Sequence, residues 1–274
     1  MGDVPEEKKA WLAGVFDRAA PTYDLIGASY HAEFGRRLVE RAPLIPGASV
    51  LDVACGTGAV LIRAAEVIGP QGHAVGTDIS PEMVRLAVAE SSRAGLSNCE
   101  ALVMDAERLG FRDSSFDFLF CAFSIFFLPD PDRAADEFSR VLTPDGRLAI
   151  STWGDEDPEW EWEDELFGRL SVNRRPISEL FSTRESLHAL LDGAGFMNVS
   201  TDVEALDIRF ANEEEWWAWK WSFSLRGVLE QLSEDALVAL RVEAFERMRP
   251  LRKENGYKVR LTARFAFANA PVLC

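Results

Sequence analysis

Short apolar runs alternate with amphipathic segments over residues 49–153, and this alternation limits the folds that the chain can adopt. A strand that is covered on both faces is apolar nearly throughout, as the run FDFLFCAF at 116–123 is. Units of strand, helix and strand build a parallel sheet, because each helix returns the chain to the edge at which the next strand starts. The pattern therefore predicts an α/β fold with a parallel sheet.

Apolar runs bounded by turn residues predict the individual elements of this core. Strands are expected at residues 49–53, 73–77, 100–104, 116–121 and 146–151. Helices are expected at 81–94 and 131–142, because Ser80 and Asp130 are suitable N-caps and proline follows each of them. The sequence TPDG at 143–146 is typical of a turn, so it is expected to lead from the second helix into the last of these strands.

The segments on both sides of the core are expected to complete a single domain of 274 residues. Residues 1–45 predict a helical N-terminal cap and residues 46–154 the core. Residues 155–274 are expected to contain strands at 199–210 and 260–267, with a helical lid insert at about 212–256. The acidic segment 155–165, around Trp160 and Trp162, is interpreted as a solvated linker, and the alternative is that it lines the site.

A glycine-rich loop follows the first predicted strand, in the sequence LDVACGTGAV at 51–60. It is not a P-loop for nucleoside triphosphates, because no Lys with a following Ser or Thr comes after Gly58. The dinucleotide fingerprint requires a third glycine where this chain has Leu61, which disfavours NAD. Asp52 precedes the turn, and its carboxylate would repel a pyrophosphate but attract an ammonium group. The loop indicates a cofactor with a cationic end and no phosphate.

Acidic residues occur at the carboxyl ends of the first three predicted strands, at Asp52, Asp78 and Asp105. Because the carboxyl ends of parallel strands meet at one edge of a sheet, these three side chains are expected to converge on one crevice. Asp78 lies about 20 residues beyond the glycines, where nucleotide-binding sheets place a carboxylate for both ribose hydroxyls. Asp105 is expected to accept a hydrogen bond from the exocyclic amine of adenine, and the Ala106 amide is available to a ring nitrogen.

The motifs LDVACGTG, GTDIS, MDAERL, FCAFSIFFLPD and LTPDGRLAIST resemble, in order and spacing, those of the class I S-adenosylmethionine-dependent methyltransferases. The N-terminal VFDRAAPTYD further resembles the ubiquinone/menaquinone C-methyltransferase branch, in which the region of Phe16 and Tyr23 folds over the cofactor. The resemblance implies a Rossmann-like, doubly wound sheet of seven strands with a reversed C-terminal β-hairpin. The resemblance fades after Trp153, where the chain has a tryptophan-rich insert. We therefore do not assign the quinone substrate of that branch to this chain.

The resemblance also implies S-adenosyl-L-methionine as the cofactor and S-adenosyl-L-homocysteine as its product. Gly56 and Gly58 would let the backbone approach the methionine part, and Asp52 would support that end. The residues expected to bind the cofactor are Tyr23, Asp52, Ala54, Gly56, Gly58, Asp78, Ile79, Met83, Asp105, Ala106, Cys121 and Phe123. Those expected to bind the methyl acceptor are Phe16, Ser124, Phe127, Trp153, Trp217 and Trp221.

Four tryptophans crowd the expected lid. At helical spacing Trp217 and Trp221 share one face, and Trp216 and Trp219 share another. Two interpretations stay open. The tryptophans form the core of the lid or a contact between two copies of the chain in a homodimer, or they form an aromatic wall for a ring-bearing substrate.

The expected reaction is methyl transfer to an oxygen, nitrogen or carbon nucleophile of a small, aromatic or lipophilic metabolite, such as a secondary metabolite or a quinone precursor. Such a reaction depends mostly on the positioning of two bound molecules. If the acceptor must lose a proton, His31 or Tyr23 is the expected base. Two other functions stay open: a cyclase that uses the cofactor only as structure, and a cofactor-binding protein without catalysis.

The formal net charge of −16, from 45 acidic and 29 basic side chains, repels nucleic acids and acidic membrane surfaces. The [DNS]PP[YFW] motif of nucleic-acid amino-methyltransferases is also missing after the fourth predicted strand. The chain has no apolar run of ~18 residues for a membrane span and no apolar core of a signal peptide. We therefore expect a small-molecule partner, no nucleic acid, no membrane insertion and a cytoplasmic location. The scattered cysteines and histidines predict no metal site.

Overall fold

The computed structural model describes residues 4–26, 29–170 and 181–271. Its central element is one seven-stranded sheet. The strands are β1 (Ser49–Val53), β2 (His73–Asp78), β3 (Cys99–Val103), β4 (Phe116–Ala122), β5 (Leu142–Trp153), β6 (Met197–Phe210) and β7 (Tyr257–Asn269). They lie in the order β3-β2-β1-β4-β5-β7-β6.

Helices precede, connect and follow the strands. The N-terminal and connecting helices are α1 (Val4–Ala19), α2 (Tyr30–Arg41), α3 (Ala59–Ile68), α4 (Pro81–Arg93) and α5 (Pro131–Val141). The later helices are α6 (Trp162–Gly168), α7 (Arg184–Gly193), α8 (Glu213–Lys220), α9 (Arg226–Leu229) and α10 (Glu234–Met248). Short 3₁₀ turns occur at Ala20–Thr22, Ile125–Phe127 and Arg249–Leu251.

The strand order reverses between β1 and β4, and this reversal creates the crevice of a doubly wound sheet. The strands β1 to β5 are mutually parallel. Because crossovers between parallel strands are right-handed, the helices before and after the reversal cover opposite faces of the sheet. β7 is antiparallel to both β5 and β6, which confirms the predicted reversed hairpin at the C-terminus.

Two predicted features differ from the structure. The TPDG sequence at 143–146 does not separate helix and strand, because β5 already begins at Leu142, opposite Phe116, and the register then shifts so that Phe118 faces Arg147. The turn residues therefore form an irregularity within the strand. The acidic segment 155–165 is mostly exposed, as a solvated linker would be, but Trp160 is buried and anchors it. The Trp160 indole N–H donates to the carbonyl of Lys258 at 3.0 Å.

The N-terminal cap is tied to the core through the start of α4. Asp17 accepts hydrogen bonds from the Ser80 hydroxyl at 2.6 Å and from the backbone N–H of Glu82 at 3.1 Å. A carboxylate at this place stabilises α4, because the first N–H groups of a helix have no partner within the helix. These contacts hold α1 over the end of β2, and with it the segment that contains Tyr23.

The lid region of residues 212–256 contains α8, α9 and α10, so it is helical as predicted. It also contacts the N-terminal cap. Arg18 of α1 donates to Glu230, just after α9, at 2.6 Å. The cap and the lid therefore approach each other across the carboxyl edge of the sheet. The assignment of the whole chain to one domain stays a prediction.

Candidate functional site

A cavity of about 560 Å³ opens at the carboxyl ends of the parallel strands, between the cap and the lid. Its wall includes fourteen of the residues that the sequence singles out. They are Phe16, Tyr23, His31, Ala54, Gly56, Asp78, Ile79, Met83, Asp105, Ala106, Phe123, Ser124, Phe127 and Trp153. The cavity thus joins the acidic strand ends to an aromatic half beneath the lid.

Asp78 connects the glycine loop to the start of α4. Its carboxylate accepts the backbone N–H of Gly56 and that of Ser80, each at 2.9 Å. Burial raises the pKa of Asp78 to about 6, although these hydrogen bonds favour the ionised form. The carboxylate lies at the cavity wall with lone pairs left to accept further hydrogen bonds.

Asp105 is held by a lysine of the cap that no sequence motif marks. Lys9 of α1 donates to Asp105 at 2.7 Å and pairs with Glu107 at 2.5 Å. The other oxygen of Asp105 accepts the Glu107 backbone N–H at 2.9 Å. Lys9 also lines the cavity, so the cap contributes a cation to the edge at which the third strand ends.

Asp52 lies behind the glycine loop rather than on the cavity wall. Its side chain is buried, and neither carboxylate oxygen has a hydrogen-bond partner among the described residues. Burial, followed by the nearby charge of Asp78, raises its pKa well above the ordinary range, and the Leu61 backbone N–H offsets part of this effect without forming a hydrogen bond of normal geometry. A buried carboxylate without a partner costs stability, so it is a site that a cationic ligand or ordered water would satisfy.

The backbone around the crevice is strained at residues that are not glycine. Ala54 and Phe123 both have left-handed backbones, with φ of 55° and 50°. A bulky residue such as Phe123 adopts this conformation only where the surroundings impose it, and its N–H is fixed by the Ser151 carbonyl at 2.9 Å. Gly56 has φ of 53°, and an added Cβ there would lie 3.9 Å from the Tyr23 ring. The loop and the Tyr23 ring therefore form one wall.

Tyr23 and His31 lie together at this wall, and Asp24 joins them. The Tyr23 hydroxyl is 3.1 Å from Nε2 of His31, and the two rings stack with centroids 4.7 Å apart. Asp24 Oδ1 lies 3.4 Å from His31 Nδ1, while the two oxygens of Asp24 accept the N–H groups of His31 and Ala32. Asp24 has φ of 57°, a left-handed backbone that orients its carboxylate toward α2. Asp24 could have been predicted as part of this group because it directly follows Tyr23 in the sequence.

Of the three tryptophans expected at the acceptor site, only Trp153 lines the aromatic half of the cavity. Trp219 lines the cavity, whereas Trp217 and Trp221 lie outside its wall, half-buried. Trp216 is fully buried behind the wall. The reason is the orientation of α8 about its axis, which turns the face with Trp216, Trp219 and Lys220 inward. Helical spacing alone shows which residues share a face but not which face is turned inward.

Two other expected cofactor residues lie beside the cavity rather than on it. Gly58 is the N-cap of α3 with φ of 95° and contacts Ile62, so it shapes the start of the helix. Cys121 is fully buried in β4, and its sulfur lies 3.0 Å from the Ser124 hydroxyl. Through that contact Cys121 supports Ser124, which does line the cavity.

Glu163 and Lys220 meet at the cavity wall, although neither belongs to a motif that marks it in the sequence. Lys220, the last residue of α8, forms an ion pair with Glu163 of α6. The other oxygen of Glu163 accepts the Trp216 indole N–H at 2.8 Å. Both charged residues lie on segments interpreted from sequence as linker or lid, and the two positions are 57 residues apart.

Within residues 4–26, 29–170 and 181–271, no three or more His, Cys, Asp or Glu side chains are placed to hold a metal ion. No helix in these same ranges has the length and apolar character needed to cross a membrane.

Comparison with known proteins identifies the family. The family model described as a methyltransferase domain matches residues 45–195. Aklanonic acid methyltransferase of a Streptomyces species is 40% identical over 144 residues, which are 53% of this chain and 66% of that protein. Nocamycin O-methyltransferase of Saccharothrix syringae is 33% identical over 84% of this chain and 88% of that protein. Demethylmenaquinone methyltransferase of Listeria monocytogenes is 34% identical over 59% of this chain and 69% of that protein.

A solved structure shares the fold at low identity. The [4+2]-cyclase SpnF matches with a TM-score of 0.59 and 20% identity, and the match covers 98% of this chain and 96% of that one. At this identity the likeness concerns the fold alone. The sequence matches, by contrast, extend over most of the chain and confirm the resemblance drawn from the motifs, so the chain belongs to the methyltransferase-domain family.

Proposed function

We propose that the protein transfers a methyl group from S-adenosyl-L-methionine to an oxygen, nitrogen or carbon nucleophile of a small, aromatic or lipophilic metabolite. The observation that carries this proposal is the single cavity in which acidic strand ends and an aromatic half meet. Family membership and the relatives named for small organic acceptors support it.

The residues of the crevice fit S-adenosyl-L-methionine. The unpartnered buried carboxylate of Asp52 matches a cationic amino-acid end, directly or through water. Asp78 would accept hydrogen bonds from the ribose hydroxyls, and Asp105, with the Ala106 amide beside it, would hold the adenine edge. Gly56 leaves room for the cofactor beneath Tyr23.

When bound, S-adenosyl-L-methionine supplies a methyl group on a positively charged sulfur. The chain favours loss of that concentrated charge by excluding water, because Phe123 and Trp153 pack with centroids 4.5 Å apart and Phe16 meets Phe127 at 5.5 Å. These four rings line the cavity, so they also position a flat acceptor.

Asp24, His31 and Tyr23 form a path for the proton of a phenol, enol or amine acceptor. Nδ1 of His31 makes no hydrogen bond among the described residues, but Asp24 Oδ1 lies 3.4 Å away, and this negative charge favours a proton on Nδ1. Nε2 is then left as the acceptor that faces the Tyr23 hydroxyl. Burial, with the charges of Asp24 and Asp78, raises the pKa of Tyr23, so Tyr23 stays protonated. The acceptor proton passes to the Tyr23 oxygen as the Tyr23 proton passes to Nε2.

Replacing His31 with alanine is expected to lower kcat by about 10²- to 10⁴-fold, because the proton then has no base. Asp24→Asn should cause a smaller loss of kcat, since Asp24 is a positioning residue. His73→Ala is the matched control, because His73 is exposed and pairs with Glu100. An unchanged kcat across the pH range for His31→Ala would exclude this role.

The function is tested by incubating the protein with methyl-labelled S-adenosyl-L-methionine and a panel of aromatic and lipophilic metabolites, followed by mass spectrometry. A labelled product together with S-adenosyl-L-homocysteine is the expected result. A rearranged, unlabelled product without S-adenosyl-L-homocysteine would indicate the cyclase instead. Cofactor binding without any acceptor-dependent turnover would indicate a binding protein.

A further inference from the structure

Buried charge in this molecule is concentrated at the cavity. Among the described residues five charged side chains are buried: Lys9, Asp52, Asp78, Glu107 and Lys220. The first four surround the acidic strand ends. Lys220 alone lies in the aromatic half, and nothing in the proposed reaction uses it. Replacing a buried ion pair by apolar side chains is often neutral or stabilising, so stability alone does not explain a buried Lys220. Its position at a cavity wall points to a role in binding a ligand.

Aromatic rings surround the Lys220 ammonium on several sides. Its Nζ lies 4.2 Å from the ring centroid of Trp219 and 4.9 Å from that of Trp216. The rings of Phe167 and Phe223 follow at 5.6 and 5.9 Å. The π faces of the rings attract the cation, so the ammonium is held in one place although lysine is a flexible side chain.

The hydrogen bonds of this ammonium are incomplete. Among the described residues Glu163 is the only hydrogen-bond acceptor of Nζ. An ammonium has three N–H donors, so two of them are left without a hydrogen-bond acceptor among those residues. Lys220 lines the cavity, so an oxygen of a bound molecule is the natural partner for these donors.

The surroundings also define the charge of that molecule. Glu163 already balances the charge of Lys220, and its own orientation is fixed by the Trp216 indole. Acidic side chains outnumber the one arginine, Arg260, on the cavity wall and disfavour a second anion; they are Asp155, Glu156, Asp157 and Asp164. A neutral oxygen acceptor on a flat, apolar skeleton fits this combination of donors, rings and negative charge.

We propose that Lys220, held by Glu163, recognises a carbonyl oxygen on a flat, neutral ring system and thereby selects the methyl acceptor; this rests on the proposed function. Tyr30 contacts His31 at 4.1 Å and Trp219 at 5.9 Å between centroids, so two ring contacts separate His31 from the ring beneath Lys220.

Three probes of one tricyclic skeleton test the proposal: 9-fluorenone, fluorene and 9-fluorenecarboxylate. Equilibrium dialysis measures their binding to the full chain with and without S-adenosyl-L-homocysteine. The wild-type protein is expected to bind fluorenone about tenfold more tightly than fluorene, as a hydrogen bond to a charged donor allows. Lys220→Met should abolish that preference while the affinity for fluorene changes little.

The double variant Glu163→Gln/Lys220→Met removes the pair together and should also lose the preference, without leaving Glu163 as an unpaired charge. Lys258→Met is the matched control, because Lys258 forms an exposed pair with Asp207 on the sheet. The proposal is overturned if Lys220→Met keeps the fluorenone preference, if the wild-type protein shows none, or if the carboxylate binds best. If the wild-type protein does not bind S-adenosyl-L-homocysteine, the proposed function is rejected. The ratio of its affinities for fluorenone and fluorene is a separate measurement and still decides the role of Lys220.

Discussion

Replacing Asp78 with alanine is expected to weaken binding of S-adenosyl-L-homocysteine by about 1–3 kcal/mol, which is roughly a tenfold to hundredfold loss of affinity. The carboxylate supplies acceptors at the cavity and also holds the backbone N–H groups of Gly56 and Ser80. Its removal therefore deletes the expected ribose contact and loosens the glycine loop. Isothermal titration calorimetry measures the change directly.

Asp145→Ala is the matched control for this variant, because Asp145 is an exposed carboxylate of β5. It should leave the affinity unchanged. Asp78→Asn retains one oxygen acceptor and should fall between alanine and the wild-type protein. An affinity for Asp78→Ala equal to that of the wild-type protein would remove Asp78 from the cofactor site.

The same carboxylate predicts the pH dependence of cofactor binding. Burial raises the pKa of Asp78 to about 6, so the ionised acceptor is lost as the pH falls below that value. Below pH 6, affinity for S-adenosyl-L-homocysteine should decline by about tenfold per pH unit.

The contribution of Asp78 to folding stability changes with pH in the opposite direction. Because its pKa is raised above the value in the unfolded chain, that contribution is largest in acid and is lost as the pH rises through about 6. A pH series of titrations with the wild-type protein and Asp78→Asn, whose dependence should be shallower, checks the assignment.

Replacing Trp216 with alanine is expected to lower the free energy of unfolding by about 3–5 kcal/mol, the loss typical of a deleted buried aromatic side chain. Trp216 is fully buried, and its ring lies 5.8 Å from Trp162 and 6.3 Å from Trp160. The substitution also removes the donor that Trp216 offers to Glu163. Urea denaturation followed by circular dichroism measures the loss.

Trp217→Ala is the internal comparison, because the residue is adjacent in sequence and only half-buried. It should cost about 1 kcal/mol. Equal losses for the two variants would contradict the inward direction of α8 on which the description of the aromatic half depends.

Local sequence was sufficient for the core because its strands and helix starts are determined by neighbouring residues. The side chains of Ser80 and Asp130 do accept the N-terminal N–H groups of α4 and α5. The apolar run that forms β4 lies near the middle of the sheet, between β1 and β5. Parallel strands place their carboxyl ends together, which explains why Asp78 and Asp105 could be assigned to one crevice before the fold was known.

The sequence by itself determined the α/β architecture, the glycine loop and the acidic residues that follow the strands, because each depends on spacing within a few turns of chain. Only the tertiary structure decided which tryptophans face the cavity and that Lys9 reaches Asp105. It alone also paired Lys220 with Glu163. Those contacts join residues far apart in the chain, and the orientation that a helix adopts on its neighbours follows from packing rather than from its own periodicity.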